Sequence, residues 1–589
     1  MLIHEWKRRM PGIGSVGVIL GVVLCVGGAA FGNPKDRVGE TLQDVTLRTL
    51  NGESVQLMDY HKGDVLVIAY TGLGCPISNR YAPRLQKLTK KYSAKKGYHF
   101  VGINANPHDS LEDIKRESEE LGYGFPILKD ADQALTKQLD AKTTTVVFVV
   151  DKDKVIRYRG MVDDQYAVGA QRKNPKNKYL RDALKSLSRG EDVFVKRTVA
   201  PGCLITRLGG EASGEEITYA DHVASIVQNN CQQCHRSGQI APFPLESYKQ
   251  VRGWSAMIYS VLEDNRMPPW NAHNEFDGMF ANQRSMDPRD KATLMSWIKS
   301  GMARGDEAND PPAKDWPEGW RIGEPDKVFK MQKAYNVPAE GVLEYQYFRI
   351  PTRFDKDMWI TAMEAKPGAT DVVHHILAFV VEGEISQADL GGLGLEDGYL
   401  CATVPGDTPS IFPEGMAKRL PKGASLWLQV HYTTNGKKRK DRCMIGMRFA
   451  DAPPSKEVKT RGIYNVSFKI PPNATNHEVR AEHTLAEDTT LLALYPHMHF
   501  RGKEWKYVAH YPDGKKETLL HVPTYDYNWQ ESYILNEPKV LPKGTKIECI
   551  AHFDNSADNF ANPDPSVEVR FGEQSWQEMM IGYFDYATN

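Results

Sequence analysis

The chain is poor in net charge, in paired cysteine motifs and in apolar runs long enough to span a membrane. Its 74 Lys and Arg nearly balance 75 Asp and Glu, leaving a formal charge of −1 over 589 residues. The two signs are interspersed, so no basic stripe argues for a nucleic-acid partner. Only eight cysteines occur, and no second Cys-x-x-Cys accompanies Cys231 and Cys234, which leaves a zinc ribbon incomplete. No short-period internal repeat is visible.

The apolar run from Ile13 to Val26 is shorter than a membrane span requires. It follows Lys7-Arg8-Arg9 and precedes Ala29-Ala30-Phe31-Gly32, the order of a secretory signal over residues 1–32. An uncleaved anchor is the weaker reading, and Leu24 before Cys25 fits a lipoprotein signal poorly. Export to the periplasm or another extracytoplasmic side of the envelope is expected, with membrane contact only through this segment if it is retained. Apolar residues at 41% and aromatics at 10% support packed cores. The length predicts three or more domains.

What the chain does have is histidine in pairs. Val-Val-His374-His375-Ile-Leu is followed by Leu-Gln-Val-His431-Tyr432, then by Tyr495-Pro-His497-Met498-His499-Phe-Arg-Gly502, and finally by Glu578-Met579-Met580. Imidazole and thioether together suit copper, since they hold Cu(I) and still accept Cu(II). In extended backbone His497 and His499 point to one face. Adjacent His374 and His375 point to opposite faces and need a bulge or bend to share a metal.

In order and spacing these pieces resemble the copper type II, ascorbate-dependent monooxygenases, the group of the peptide-amidating and dopamine-hydroxylating enzymes. The resemblance covers about residues 335 to 589, including FKIPPNATNHEVRAEHTL and the Trp529-Gln530 segment. It implies that His374, His375 and His431 hold an electron-transferring copper, and that His497, His499 and Met579 hold the catalytic, dioxygen-binding copper. It also implies an all-β, double β-sandwich (jelly-roll-like) region and C–H hydroxylation of a small molecule or peptide. Tyr495 stands where the peptide-amidating branch has a substrate-clamping arginine, while Tyr583 keeps the family's tyrosine after the methionine; both are candidate substrate contacts. Met580 replaces the usual cysteine and leaves Cys549 without its expected partner. Substrate identity therefore does not carry over.

Upstream, Cys231-Gln-Gln-Cys234-His235 is a c-type haem attachment signature, with His235 as an axial ligand. The other readings of the motif are a thioredoxin-like Cys-x-x-Cys and half a zinc site. Val223, Ile226 and Val227 form an apolar helical stripe leading in. Arg266-Met267-Pro268-Pro269-Trp270 resembles the distal-ligand segment of small cytochromes c, making Met267 the second axial candidate, with core packing as its bland alternative. Asp287-Pro288 opens a helix as N-cap and first turn, Leu294, Trp297 and Ile298 line one face, and Gly301 closes it.

Further upstream, Val65–Ala69, a loop with Cys75-Pro76, a helix from Tyr81 to Tyr92 and a strand His99–Ile103 follow βαβ logic. With Val146–Val150 they resemble the thioredoxin-like redoxins across residues 38 to 190. Ser78 stands where an exchanger has its second cysteine, Gly72 and Ile68 where a peroxidase has threonine and proline, and Thr145 where a cis-proline is usual. A helix N-terminus beside Cys75 lowers a thiol's pKa and would make it reactive. Pairing with Cys203, or inertness, is the other reading, and a structural or partner-sensing role is expected ahead of independent catalysis.

The expected chain is thus multidomain: signal 1–32, α/β redoxin 38–190, all-α cytochrome c-like domain 217–305, linker 306–334, and copper lobes 335–470 and 471–589. Its expected cofactors are two copper ions and one covalent c-type haem. Dioxygen, a reductant and an unidentified substrate are its expected partners. The second reading is an envelope electron-transfer or thiol-redox protein whose β region binds metal without hydroxylation.

Overall fold

A computed structural model describes residues 37–93, 97–207, 217–385, 398–405 and 408–588. The expected signal, residues 1–32, lies outside them. Among the described residues no helix is long and apolar enough to cross a membrane.

The uninterrupted apolar run Val65–Thr71 becomes a central strand, because only a strand covered on both faces can bury every side chain. Its residues alternate between two cores. Val67 and Ala69 join one buried cluster, Leu66, Ile68 and Tyr70 the other. Tyr98–Asn104 pairs with it in parallel, and Val147–Val150 antiparallel. The full sheet runs Ser54–Gln56, Thr46–Arg48, Ile127–Lys129, Tyr98–Asn104, Val65–Thr71, Val147–Val150, Ile156–Gly160. The crossover helix is Pro76–Ser93, so it begins directly after Cys75 rather than at Tyr81.

From Tyr219 to Lys299 the chain is helical in short pieces: a π-helical turn Tyr219–Val223, then Ala224–Asn230, Tyr248–Gly253, Ser255–Glu263 and Pro288–Lys299. The last of these carries the expected cap, with Asp287 accepting from the Arg289 N–H at 2.7 Å. A separate all-α domain is not evident here. Tyr219, Val227, Trp254, Leu294 and Trp297 belong to the same buried cluster as Val67, Leu85 and Leu184 of the α/β sheet. Helices this short enclose no core by themselves and complete a neighbour's instead.

The rest is a large all-β region. Its first strand, Lys327–Lys330, pairs with Met444–Phe449 and lies within the stretch expected as linker. Two four-stranded sheets each face part of a nine-stranded sheet, and each pair encloses its own core. The nine-stranded sheet runs through both halves of the region. Its halves join where Met416–Leu420 pairs in parallel with Lys456–Tyr464. Lys418 is buried at this seam, donating to Asp585 Oδ1 at 3.0 Å, Thr460 Oγ1 at 2.6 Å and the Leu400 carbonyl at 2.9 Å.

A buried ion pair is costly to break from one side, because the remaining charge has no water to turn to. Asp585→Ala is expected to destabilise the β region by about 3–5 kcal/mol. Lys418→Met combined with Asp585→Ala should cost less than the two single changes added together. Denaturant unfolding of the four proteins of this cycle provides the check. Additive costs would show that the pair does not couple the two halves.

Candidate functional site

His374 and His375 lie at the start of strand Val373–Val381, and His431 lies near the end of the neighbouring strand Ser425–Tyr432. The pairing shifts register between Val373 and His375, which is the irregularity that adjacent histidines need to face one point. His375 sits directly opposite His431. One ligand atom from each of the three residues lies within 4.8 Å of the others. The Nδ1 atoms of His374 and His375 are 3.1 Å apart. Burial drives the His374 imidazole down to about 4, helped by the charge on Arg80, and pushes His375 and His431 well below their usual value. Three neutral imidazoles therefore converge, the protonation state that metal binding requires.

His497 ends strand Thr489–His497, while His499 lies just beyond it in the following turn. Their rings are 5.2 Å apart. His497 Nδ1 donates to Gln530 Oε1 at 2.6 Å, which leaves Nε2 as the free lone pair. His499 is fully buried, and neither ring nitrogen makes a hydrogen bond in normal geometry. A buried imidazole in that condition fits a metal ligand, since an unpaired buried polar group is costly. The turn is held by Glu578, whose carboxylate accepts from the backbone N–H of His499 at 2.8 Å and of Arg501 at 2.6 Å. Burial pushes this carboxyl up to about 8, opposed by Arg501 and the backbone donors.

Pairing of Tyr495, Pro496 and His497 with Tyr583, Gly582 and Ile581 brings Met579 toward the same end of the sheet. The two consecutive methionines part company there. Met579 clusters with Ile581, Tyr583 and Tyr495, whereas Met580 is fully buried in the core of the second β half. Tyr495 donates to Asp585 Oδ2 at 2.7 Å, and the Tyr583 ring stacks on Tyr399 at 5.0 Å. Cys549 is a free thiol inside that core.

Two buried tyrosines stand between the histidine sets. Tyr345 is 5.6 Å from His375 and 6.5 Å from His499, measured between ring centroids. Tyr527 hydrogen-bonds His431 Nδ1 at 3.2 Å, stacks on His374 at 5.7 Å and lies 6.1 Å from His499. The two hydroxyls meet at 3.2 Å, and both reach Ser575 Oγ, at 3.0 and 2.7 Å. No motif signals Tyr345, Tyr527 or Ser575, which are brought together from distant parts of the chain. Gln530 and Glu578 are more accessible to sequence reasoning, as neighbours of residues already suspected.

Cys231, Cys234, His235 and Met267 line one cavity of about 1130 Å³, walled further by Phe243, Leu245, Met257, Leu262 and Leu294. Nδ1 of His235 donates to the Phe243 carbonyl at 3.0 Å, fixing the tautomer that presents Nε2 as a lone pair. Two half-buried thiols, an oriented imidazole and a thioether around an apolar space fit a covalently attached haem. His374 and His431 line the same cavity.

Cys75 is fully buried and faces Cys203. The segment Pro201–Cys203 crosses Thr144 and Thr145: the Thr144 N–H donates to the Cys203 carbonyl at 2.9 Å, and the Thr145 hydroxyl bonds the Pro201 carbonyl. A side chain at Gly202 would strike Thr145, so glycine permits this approach. Burial alone would raise the Cys75 thiol. Hydrogen bonds from Cys203 and from the backbone at Ser78 outweigh it and lower the value to about 6, while Cys203 is pushed well above its usual range. The two sulfurs are thus shifted in opposite directions, the thiolate form being favoured at Cys75 and the thiol at Cys203.

Residues 38–159 match the AhpC/TSA family, so the first part of the chain is a thioredoxin-like redoxin domain. No protein of curated function matches the chain. Among solved structures, an uncharacterised conserved protein from Geobacillus kaustophilus is similar at 32% identity, over 28% of this chain and 90% of its own, with a TM-score of 0.26. The peroxidoxin BcpB from Mycobacterium tuberculosis is similar at 21% identity, over 21% and 84%, with a TM-score of 0.19. The thioredoxin domain of a thiol-disulfide oxidoreductase from Bacteroides vulgatus also matches at 21% identity, over 21% and 86%, with a TM-score of 0.19.

Cys203→Ala, which removes the donor where serine would keep one, is expected to raise Cys75 toward the ordinary thiol value, so its thiolate absorbance in the ultraviolet should titrate at higher pH. Unchanged titration would mean that Cys203 does not set the state of Cys75.

Proposed function

We propose that this chain is an exported copper-dependent monooxygenase that uses dioxygen to hydroxylate a C–H bond of a small molecule or peptide, with a covalent c-type haem as its electron donor. The observation that carries the reading is the single cavity bordered both by Cys231, Cys234, His235 and Met267 and by His374 and His431. When bound, copper supplies dioxygen activation and haem supplies one-electron transfer.

His374, His375 and His431 would hold one copper, and His497, His499 and Met579 the other. Burial keeps all five imidazoles neutral. Gln530 fixes the tautomer of His497, and Tyr527 engages Nδ1 of His431. Glu578 anchors the turn that places His499. Met579 contributes a soft thioether suited to Cu(I). Tyr495 and Tyr583 would wall the space beside it, positioning substrate by contact rather than by charge. Tyr345 and Tyr527 fill the space between the two histidine sets, their hydroxyls joined through Ser575. The β region would thus be a double β-sandwich with one metal per half. His235 and Met267 would hold the iron of a haem attached at Cys231 and Cys234, which would supply one-electron transfer.

The second reading is a thiol-redox or electron-transfer protein of the envelope whose β region binds metal without hydroxylation. The Cys75–Cys203 pair favours it. Reductant-dependent oxygen uptake by copper-loaded protein separates the two.

His497→Ala with His499→Ala is expected to lower copper from about two to about one per chain and to abolish that oxygen uptake. Copper content and uptake that both survive would end the monooxygenase reading. Met579→Leu should keep most of the copper but lose activity, whereas Met580→Leu should chiefly alter stability.

For the haem, Met267→Ala should leave the group covalently attached, open a coordination position and lower its potential. A low-spin spectrum and unchanged potential would return Met267 to ordinary packing. Replacing Cys231 and Cys234 together should let haem leave under denaturing conditions.

A further inference from the structure

A second convergence of metal-ligating side chains lies away from the histidine sets described above. His273 and Glu275 flank the start of a short 3₁₀ turn, Asn274–Phe276, between helices Ser255–Glu263 and Pro288–Lys299. His521 belongs to strand Lys516–Val522 of the second β half. One ligand atom from each lies within 4.8 Å of the other two.

The arrangement is built by the backbone. The His273 N–H donates to the His521 carbonyl at 2.8 Å, and the two imidazoles stack at 5.5 Å with only 23° between their planes. Ala272, Phe276 and Phe280 are buried in the core of the second β half, so apolar contact docks the turn together with this backbone bond and that of the Ala281 N–H to the Ile534 carbonyl at 2.8 Å. Glu275 Oε1 is 3.5 Å from His273 Nδ1. Behind His521, Glu504 bonds its Nε2 at 3.0 Å and is itself held by Lys506 at 2.8 Å. A carboxylate behind a ligating histidine fixes the ring and raises its basicity.

We infer that His273, Glu275 and His521 form a surface site for a divalent ion of the zinc class. Two imidazoles and one carboxylate are a borderline donor set that favours zinc over calcium or magnesium, which take oxygen ligands. Ligands at about 2.1 Å in a tetrahedron stand about 3.4 Å apart. Rotation of the two exposed side chains, His273 and Glu275, closes the remaining gap. Water takes the fourth position, because both side chains are about half exposed, at 49% and 55%. The ion ties the segment that follows Met267 to the β half that carries His497 and His499. This inference is independent of the copper and haem reading.

Zinc chloride is the probe, titrated calorimetrically into the full-length chain and into a His273→Ala, His521→Ala variant. Other histidines bind zinc as well, so the difference between the two proteins is the readout. The variant should take up about one equivalent less. Glu504→Gln, which removes no ligand, should weaken the same site about ten-fold or more. Glu275→Gln, a conservative change of an exposed side chain, should lose the same equivalent in a protein with no core alteration. Equal zinc stoichiometry and affinity in the wild type, the double variant and Glu275→Gln would overturn the assignment.

Discussion

Lys418 reaches across the seam between the two β halves, and the placement of everything functional in that region depends on the seam. Parallel pairing there is brief, confined to Met416 and Ala417 with Lys456 and Glu457. Two backbone registers cannot by themselves hold two sheet pairs in a fixed relation. The buried ammonium does so by binding Asp585 and Thr460 on one side and the Leu400 carbonyl on the other. Tyr495 completes the cluster through the second oxygen of Asp585. His497 follows Tyr495 by two residues on the same strand, and the strand that carries Asp585 begins just after Met579. An ionic contact at the seam therefore sets how the second histidine set faces the first.

Desolvation decides the chemistry of both sets. The drop of His374 to about 4 amounts to roughly 3 kcal/mol against its protonated form. Near neutral pH the lone pairs are therefore available to a metal rather than occupied by protons. The same burial that empties these nitrogens of charge would make their isolation expensive, and the neighbouring polar groups meet that cost unevenly. His431 has Tyr527 and His497 has Gln530, whereas His499 has no partner of normal geometry. Orientation is thus supplied at His431 and His497 by hydrogen bonds to Tyr527 and Gln530, and at His499 by its buried backbone and Glu578.

Local features were the legible part of the sequence. The uninterrupted apolar run from Val65 to Ala69, the Asp287–Pro288 cap and the need for a bulge at His374 and His375 each follow from residues within a few positions of one another. The convergence of His431 with that pair could be anticipated only through family resemblance, because strand pairing across 56 residues leaves no periodic trace. Tyr345, Tyr527 and Ser575 form one hydrogen-bonded cluster from three distant segments, and nothing near any of them announces the others. The expected all-α domain failed for a related reason. Helical periodicity says which face of a short helix is apolar but not whose core it enters, and here it enters that of the redoxin sheet.

The expected linker, residues 306–334, reads as a tether, yet the structure gives it little tethering to do. On one side the helices share a buried core with the redoxin domain, where a Cβ at Gly253 would collide with His108 and one at Gly74 with Pro242. On the other side Phe276 and Phe280 enter the core of the second β half, and Asn282 donates to the Ser532 carbonyl at 2.7 Å. Arg284 meets the fully buried Glu531 at 2.5 Å. Burial raises that carboxyl to about 7, opposed by Arg284. A flexible linker raises the chance that two sites meet, but a buried ion pair tolerates almost no displacement. Arg80 of the redoxin helix adds a third fastening, donating to the Thr434 carbonyl of the first β half at 3.0 Å. The cavity shared by Cys231, Cys234, His374 and His431 is therefore a fixed feature of packing, and its dimensions do not depend on linker length.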